Sequence, residues 1–193
     1  MHNDTITIPL FPLHSVLFPD GLLPLRIFEP RYLDMVSQCL KQDALFGISL
    51  IYDGKEVGEA ALTHNIGTMA KIVDWDKEEN GLLVIKVVGQ QKFKILSQET
   101  KKNQLIEAKV ELFPSEDSAT LTPEYQVLSD LLEQIIQQLG NIYPQISLDY
   151  NNAHWVSYRL AELLPISLVQ RQKLLELSDP AQRLAILKQS FRD

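Results

Sequence analysis

Between residues 26 and 32 the chain sets Arg26, Glu29 and Arg31 around Phe28, Pro30 and Tyr32. Two guanidinium groups, a carboxylate and two aromatic rings in so short a span suit the gripping of a peptide. Aromatic walls give up water to an apolar side chain, and the charged groups add directed, charge-assisted hydrogen bonds. The same mixture also suits a corner between a strand and a helix, where an aromatic must pack and a local ion pair must satisfy polar atoms. Arg26, Phe28, Glu29, Arg31 and Tyr32 are therefore the candidate binding residues, with the corner reading beside the binding one.

Other chemistry finds less support. Cys39 lies in Met35-Val36-Ser37-Gln38-Cys39-Leu40, a helical pattern in which a small packed thiol is the expected role. His2, His14, His64 and His154 are far apart and none has the spacing of a metal-ligand pair, so no metal site is expected and the histidines are placed at the surface. Gly54-Lys55 lacks the glycine that a phosphate-cradling loop needs five residues upstream of Gly54, and no Gly-x-Gly-x-x-Gly occurs. No Gly-x-Ser-x-Gly elbow marks a nucleophilic serine. The expectation is a protein without cofactor that is not an enzyme, with a hydrolase built on an unmarked serine as the weakest competing idea.

The 193 residues are 45% hydrophobic and 22% charged, enough to bury a real core. The formal charge is -7, spread over both halves: residues 1–115 hold 12 basic and 15 acidic side chains, and residues 116–193 hold 6 and 10. Replacing the counterions around phosphates takes clustered Lys and Arg, so nucleic acid and anionic membrane surfaces are both disfavoured. One cysteine forms no internal disulfide, Met1 to Thr5 lacks a signal-peptide pattern, and no apolar run nears the roughly 20 residues of a membrane span. A cytoplasmic protein is expected.

The elements that must position these residues follow from local signals. Pro9, Pro12, Pro19, Pro24 and Pro30 break the opening into short extended pieces, with strands at Ile6 to Leu10 and Leu22 to Phe28 around a Pro19-Asp20-Gly21 turn. Pro30 opens a helix over residues 30–42, and Leu45 to Tyr52 is a strand. Asp53 to Asn65 has mixed signals and is expected to be a loop. Gly67 to Trp75 and Leu82 to Val88 form a hairpin about a type I′ Asn80-Gly81 turn, in which Trp75 packs across strands. Gly89 interrupts before a strand at Lys92 to Leu96, and Leu105 to Phe113 follows.

After the acidic stretch Pro114-Ser115-Glu116-Asp117-Ser118 the signals turn helical. Thr122-Pro123 caps a helix to Leu139 that Gly140 ends, and a second runs from Asn152 to Leu164. Ser167-x-x-Gln170 and Asp179-x-x-Gln182 have the form of capping boxes for two more. The first 115 residues are thus mostly β and the remainder mostly α.

Several of these segments resemble a known family. Ile8-Pro9-Leu10-Phe11-Pro12-Leu13, Val16-Leu17-Phe18-Pro19-Asp20-Gly21 and Leu23-Pro24-Leu25 are similar to the start of the Lon protease amino-terminal, substrate-binding domain. Ile27-Phe28-Glu29-Pro30-Arg31-Tyr32 resembles its stand-alone and RING-associated members more closely. Ile66 to Ile72 and Val88 to Phe93 are similar to its central hairpin strands, although the family commonly has an arginine near the position of Lys92. Gln172 to Glu176 and Arg183-Leu184 are similar to its closing helices. The resemblance implies an α+β fold, with a PUA-like small β-barrel lobe over residues 1–115 followed by an α-helical lobe over 116–193. It also implies a non-catalytic module that recognises unfolded or partly folded polypeptide, or a partner protein, with no ATPase or protease domain within these residues. Recognition would occur in a groove near the Leu23 to Tyr32 corner or between the lobes. The PUA-like architecture leaves an RNA binder as the alternative, against which the acidic balance weighs.

Overall fold

The structure, a computed structural model, describes residues 5–116, 118–140 and 147–190. His2, most of the Met1 to Thr5 segment and Asp117 of the acidic stretch lie outside these described residues. The chain divides into two compact units, Met1–Pro114 and Ser115–Asp193.

The first unit is built from β1 (Thr5–Leu13), β2 (Leu22–Ile27), α1 (Pro30–Gln42), β3 (Phe46–Asp53), β4 (Leu62–Thr63), β5 (Ile66–Lys77), β6 (Leu83–Thr100) and β7 (Ile106–Leu112). Neighbours run β1–β7–β6–β5–β3, and β1 then pairs with β3 in parallel, Leu10 to Leu13 lying against Gly47 to Leu50. The five strands therefore close into a barrel over the stretch where these ladders hold. β4 attaches to β3, and β2 pairs antiparallel with the first half of β6.

Inward-facing side chains fill the barrel in two clusters. Ile8, Leu10, Met69, Phe93, Ile95, Ile106, Ala108 and Val110 form one. Phe93 occupies its centre because Gly47 and Gly67 stand opposite, and a Cβ on either would collide with its ring. The other cluster joins Phe11, Leu25, Ile27, Phe46, Ile48 and Ile85 to Tyr32, Met35, Val36 and Cys39 on the buried face of α1. Cys39 is packed there, and burial pushes its thiol pKa up.

Some local expectations need correction. Gly89 does not interrupt a strand: β6 runs through it, because both halves stay bonded to β5 while the outer partner changes from β2 to β7. Gly89 marks a close approach, since the Asp20 N–H donates to its carbonyl, its own N–H donates to Gly21, and a Cβ would strike the Phe18 carbonyl oxygen. In the β5–β6 hairpin the Gly81 N–H donates to the Glu78 carbonyl at 2.8 Å and only Gly81 has positive φ, at 85°. The turn is thus centred on Glu79 and Asn80 with Gly81 after it, the three-residue form rather than type I′. The loop expected over 53–65 contains the short strand β4. Trp75 is 60% exposed at its strand end instead of packed.

The second unit holds α2 (Gln126–Leu139), α3 (Ala153–Leu163), α4 (Leu168–Glu176) and α5 (Pro180–Gln189), with a 3-10 turn Pro123–Tyr125 before α2. Thr122 makes no side-chain cap bond, whereas Asn152 accepts from the N–H groups of His154 and Trp155. Ser167 and Gln170 form the full reciprocal box; Asp179 accepts from Ala181 N–H without the return bond from Gln182. His154 is not a surface histidine. Its Nδ1 lies 2.8 Å from Glu116 and 2.8 Å from the Arg183 guanidinium, which stacks on Tyr158. The Tyr158 hydroxyl donates to Glu116 at 2.7 Å, and burial pushes its pKa up while pulling that of Arg183 down.

Candidate binding groove

The barrel is not closed along its whole height. The β1–β7 ladder ends at Leu10 opposite Ile106, so from Phe11 onward β1 keeps β3 on one edge and no strand on the other. β2 continues the wall on the far side, paired with β6 alone. A groove of about 370 Å³ is lined by these two strands, with Phe11 and Leu13 from β1 and Leu23 to Arg26 from β2. Phe28, Glu29 and Tyr32 at the start of α1, Ser15, and Glu56 with Val57 from the 53–65 loop complete it.

Pro30 at the first helical position sets the direction of α1, whose residues 31, 32, 35, 36 and 39 are buried. Tyr32 therefore points inward and is only 5% exposed, its ring 4.0 Å from that of Phe11, centroid to centroid. Phe28, outside the helix, is 57% exposed. Among the described residues the Tyr32 hydroxyl has no hydrogen-bond partner. Burial pushes its pKa up to about 12; Arg31 opposes that rise, and the carboxylates of Glu29 and Glu56 add to it.

The five residues singled out in the sequence separate into two roles. Arg26, Phe28, Glu29 and Tyr32 line the groove, while Arg31 does not. The Arg31 side chain is 4% exposed and bridges parts of the unit. One nitrogen donates to the Gln104 carbonyl at 2.7 Å, the other donates to both Glu29 oxygens at 3.2 and 3.1 Å, and the guanidinium lies 4.7 Å from the Tyr32 ring centre. It holds the tip of the β6–β7 hairpin, where Gln104 has φ 68°, against the start of α1. Glu29 also accepts from the Gly58 N–H at 3.2 Å, and Glu56 accepts from the His14 N–H at 2.6 Å, which fix the loop as a wall. Arg26 reaches out instead to Glu78 at 3.1 Å, on the exposed side of the sheet.

Sequence reasoning missed Phe11, Leu13, Glu56 and Val57. The run of alternating prolines and apolar residues from Ile8 to Leu13 hinted at the first two. Nothing in the order of residues marks Glu56, because only barrel closure brings it near Tyr32. Lys92 is 3% exposed with its ammonium 5.5 Å from the Phe113 ring centre, a packed position within the barrel unit. Among the described residues no group of three or more His, Cys, Asp and Glu side chains is placed to hold a metal ion.

The first unit is thus a β-barrel with a groove along the seam between β1 and β2, and a helical unit follows it in the chain. Residues 7–189 match the substrate-binding domain family of the ATP-dependent protease La (LON), and the chain belongs to that family. A Lon N-terminal domain protein from Xanthomonas campestris superimposes with a TM-score of 0.80 at 36% identity, over 94% of this chain and 96% of that one. The N-terminal domain of a Mycobacterium avium complex Lon protease shares the fold, with a TM-score of 0.65 at 14% identity, over 94% and 96% of the two chains. Among curated proteins, cereblon from Gallus gallus is 32% identical over 120 residues, covering 59% of this chain and 26% of cereblon. A Lon protease from Desulfatibacillum aliphaticivorans is 27% identical over 188 residues, 92% of this chain and 22% of the protease. The chain thus spans about a quarter of the length of these curated relatives.

Proposed function

We propose that this chain binds exposed, partly unfolded polypeptide in the barrel groove and acts by recognition alone, without chemistry of its own. The observation that carries this reading is the groove wall. An exposed phenylalanine, apolar side chains from two strands and a tyrosine hydroxyl with no hydrogen-bond partner among the described residues face one space. Apolar anchors desolvated at the centre of such a groove supply most of an affinity, and polar groups at its edge set orientation. Membership of a substrate-binding family supports the same ligand class, with the cytoplasm as the proposed setting. Among the described residues no helix is long and apolar enough to cross a membrane.

The test is fluorescence anisotropy with a labelled lysozyme kept unfolded by reduction and carboxamidomethylation of its cysteines. Phe28→Ala removes an exposed ring and Tyr32→Phe removes only a hydroxyl, so both variants are expected to stay folded. Phe28→Ala should weaken binding about tenfold, the scale of losing one anchor. Unchanged affinity in both folded variants would remove the groove from consideration.

A further inference from the structure

The backbone along this groove carries an unused strand edge. In antiparallel pairing, alternate residues direct both N–H and C=O toward the partner and the residues between direct both away. The Gly89 N–H donates to the Gly21 carbonyl, which fixes the alternation: Leu23, Leu25 and Ile27 face β6, and Leu22, Pro24 and Arg26 face the other way. Pro24 agrees, since a residue without an N–H is tolerated in a strand where that position points away from the ladder. On this outer edge the N–H and C=O of Leu22 and Arg26 and the C=O of Pro24 pair with no strand among the described residues.

Building on the groove reading above, we propose that the occupant enters as an extended strand added to the open edge of β2, filling the seam between β2 and the end of β1. Main-chain bonds to Leu22 and Arg26 give affinity that is largely indifferent to sequence, and alternate side chains drop onto Phe11, Leu13 and Phe28. The edge from residue 22 to 26 is roughly 13 Å long, room for about five extended residues. Charge sets the remaining preference. Glu56 lines the groove without a basic partner among the described residues, whereas Glu29 is held by Arg31 and Arg26 is drawn outward to Glu78. The ligand is therefore an apolar extended segment carrying a lysine or arginine, and an acidic residue at that point is rejected.

The probe is a fluorescent peptide of about eight alternating apolar and threonine residues with one central lysine, long enough to overrun the edge. It is compared with two versions N-methylated on one or the other alternate set of residues, and with a lysine-to-glutamate version. One N-methylated set should bind about tenfold more weakly and the other nearly as the parent, because only one set bonds to β2. The glutamate version should also weaken. Amide exchange at Leu22 and Arg26 should slow on adding the parent peptide, whereas Leu23 and Leu25, already bonded to β6, should change little. Arg26→Pro deletes an outward N–H without touching the β6 ladder and should weaken binding more than Arg26→Ala. If the parent peptide binds and Phe28→Ala weakens it, yet both N-methylated sets bind alike and the two amides stay fast, strand addition fails while the groove reading survives. Absence of any binding by the parent peptide overturns both.

Discussion

Arg26 and Arg31 differ by five positions and by their whole physical situation. Arg26 makes an exposed pair worth little in water, whereas Arg31 sits almost out of solvent with its two terminal nitrogens bonded to Glu29 and Gln104. The sequence placed them in one cluster because guanidinium chemistry is the same in both; what separates them is the direction in which strand and helix carry each side chain. Tyr32 shows the other side of burial. Its pKa, raised to about 12 from an ordinary 10.0, means that the folded chain holds the phenolic proton more tightly than the unfolded one. That contribution is fully present below pH 10 and is lost as pH rises through the window from 10 to 12, worth roughly 2–3 kcal/mol over the two units. Ultraviolet titration of the wild type should show a tyrosine step near pH 12 that Tyr32→Phe lacks, apart from the late ionisation of Tyr158, which burial also holds back. A wild-type titration in which every tyrosine ionises near pH 10 would count against the buried placement.

Helices and most strands were legible in the sequence because their signals are local. Pro30 opened α1 and its apolar spacing set the buried face; Asn152 and Ser167 capped as their types suggest. The misreadings fall where a distant element decides. Gly89 reads locally as a break, yet it is the point at which the 18–21 turn is pressed against an unbroken strand. Gly89→Ala should therefore destabilise the fold by about 2–3 kcal/mol, since the new methyl meets backbone, which yields far less readily than a side chain. Urea unfolding would show it as a lower midpoint with unchanged slope; a change below roughly 0.5 kcal/mol would mean that the turn lifts off freely. The groove belongs to the same class of feature. Its floor comes from β1 and β2, its wall from a loop near residue 56, and no periodicity links those segments.

At the scale of the whole molecule, the charge of -7 bears on the competing ligand class. Contacts to phosphates would release counterions and give a steep fall of affinity with salt. Gel-shift titration with a structured RNA should show no binding at about 150 mM salt, and a saturable shift with a steep salt slope would favour RNA over polypeptide. The ring closure has a separate consequence for biosynthesis. β1 takes one neighbour from residues 47–50 and the other from residues 106–111, so its two edges are satisfied at very different moments as the chain leaves the ribosome. Through most of that interval an apolar strand waits with an open side, competent to pair with a neighbouring nascent chain. The seam that serves the finished protein as a groove is the last trace of that wait, and slow translation before Ile106 should lower the yield of soluble protein more than a pause after Leu112.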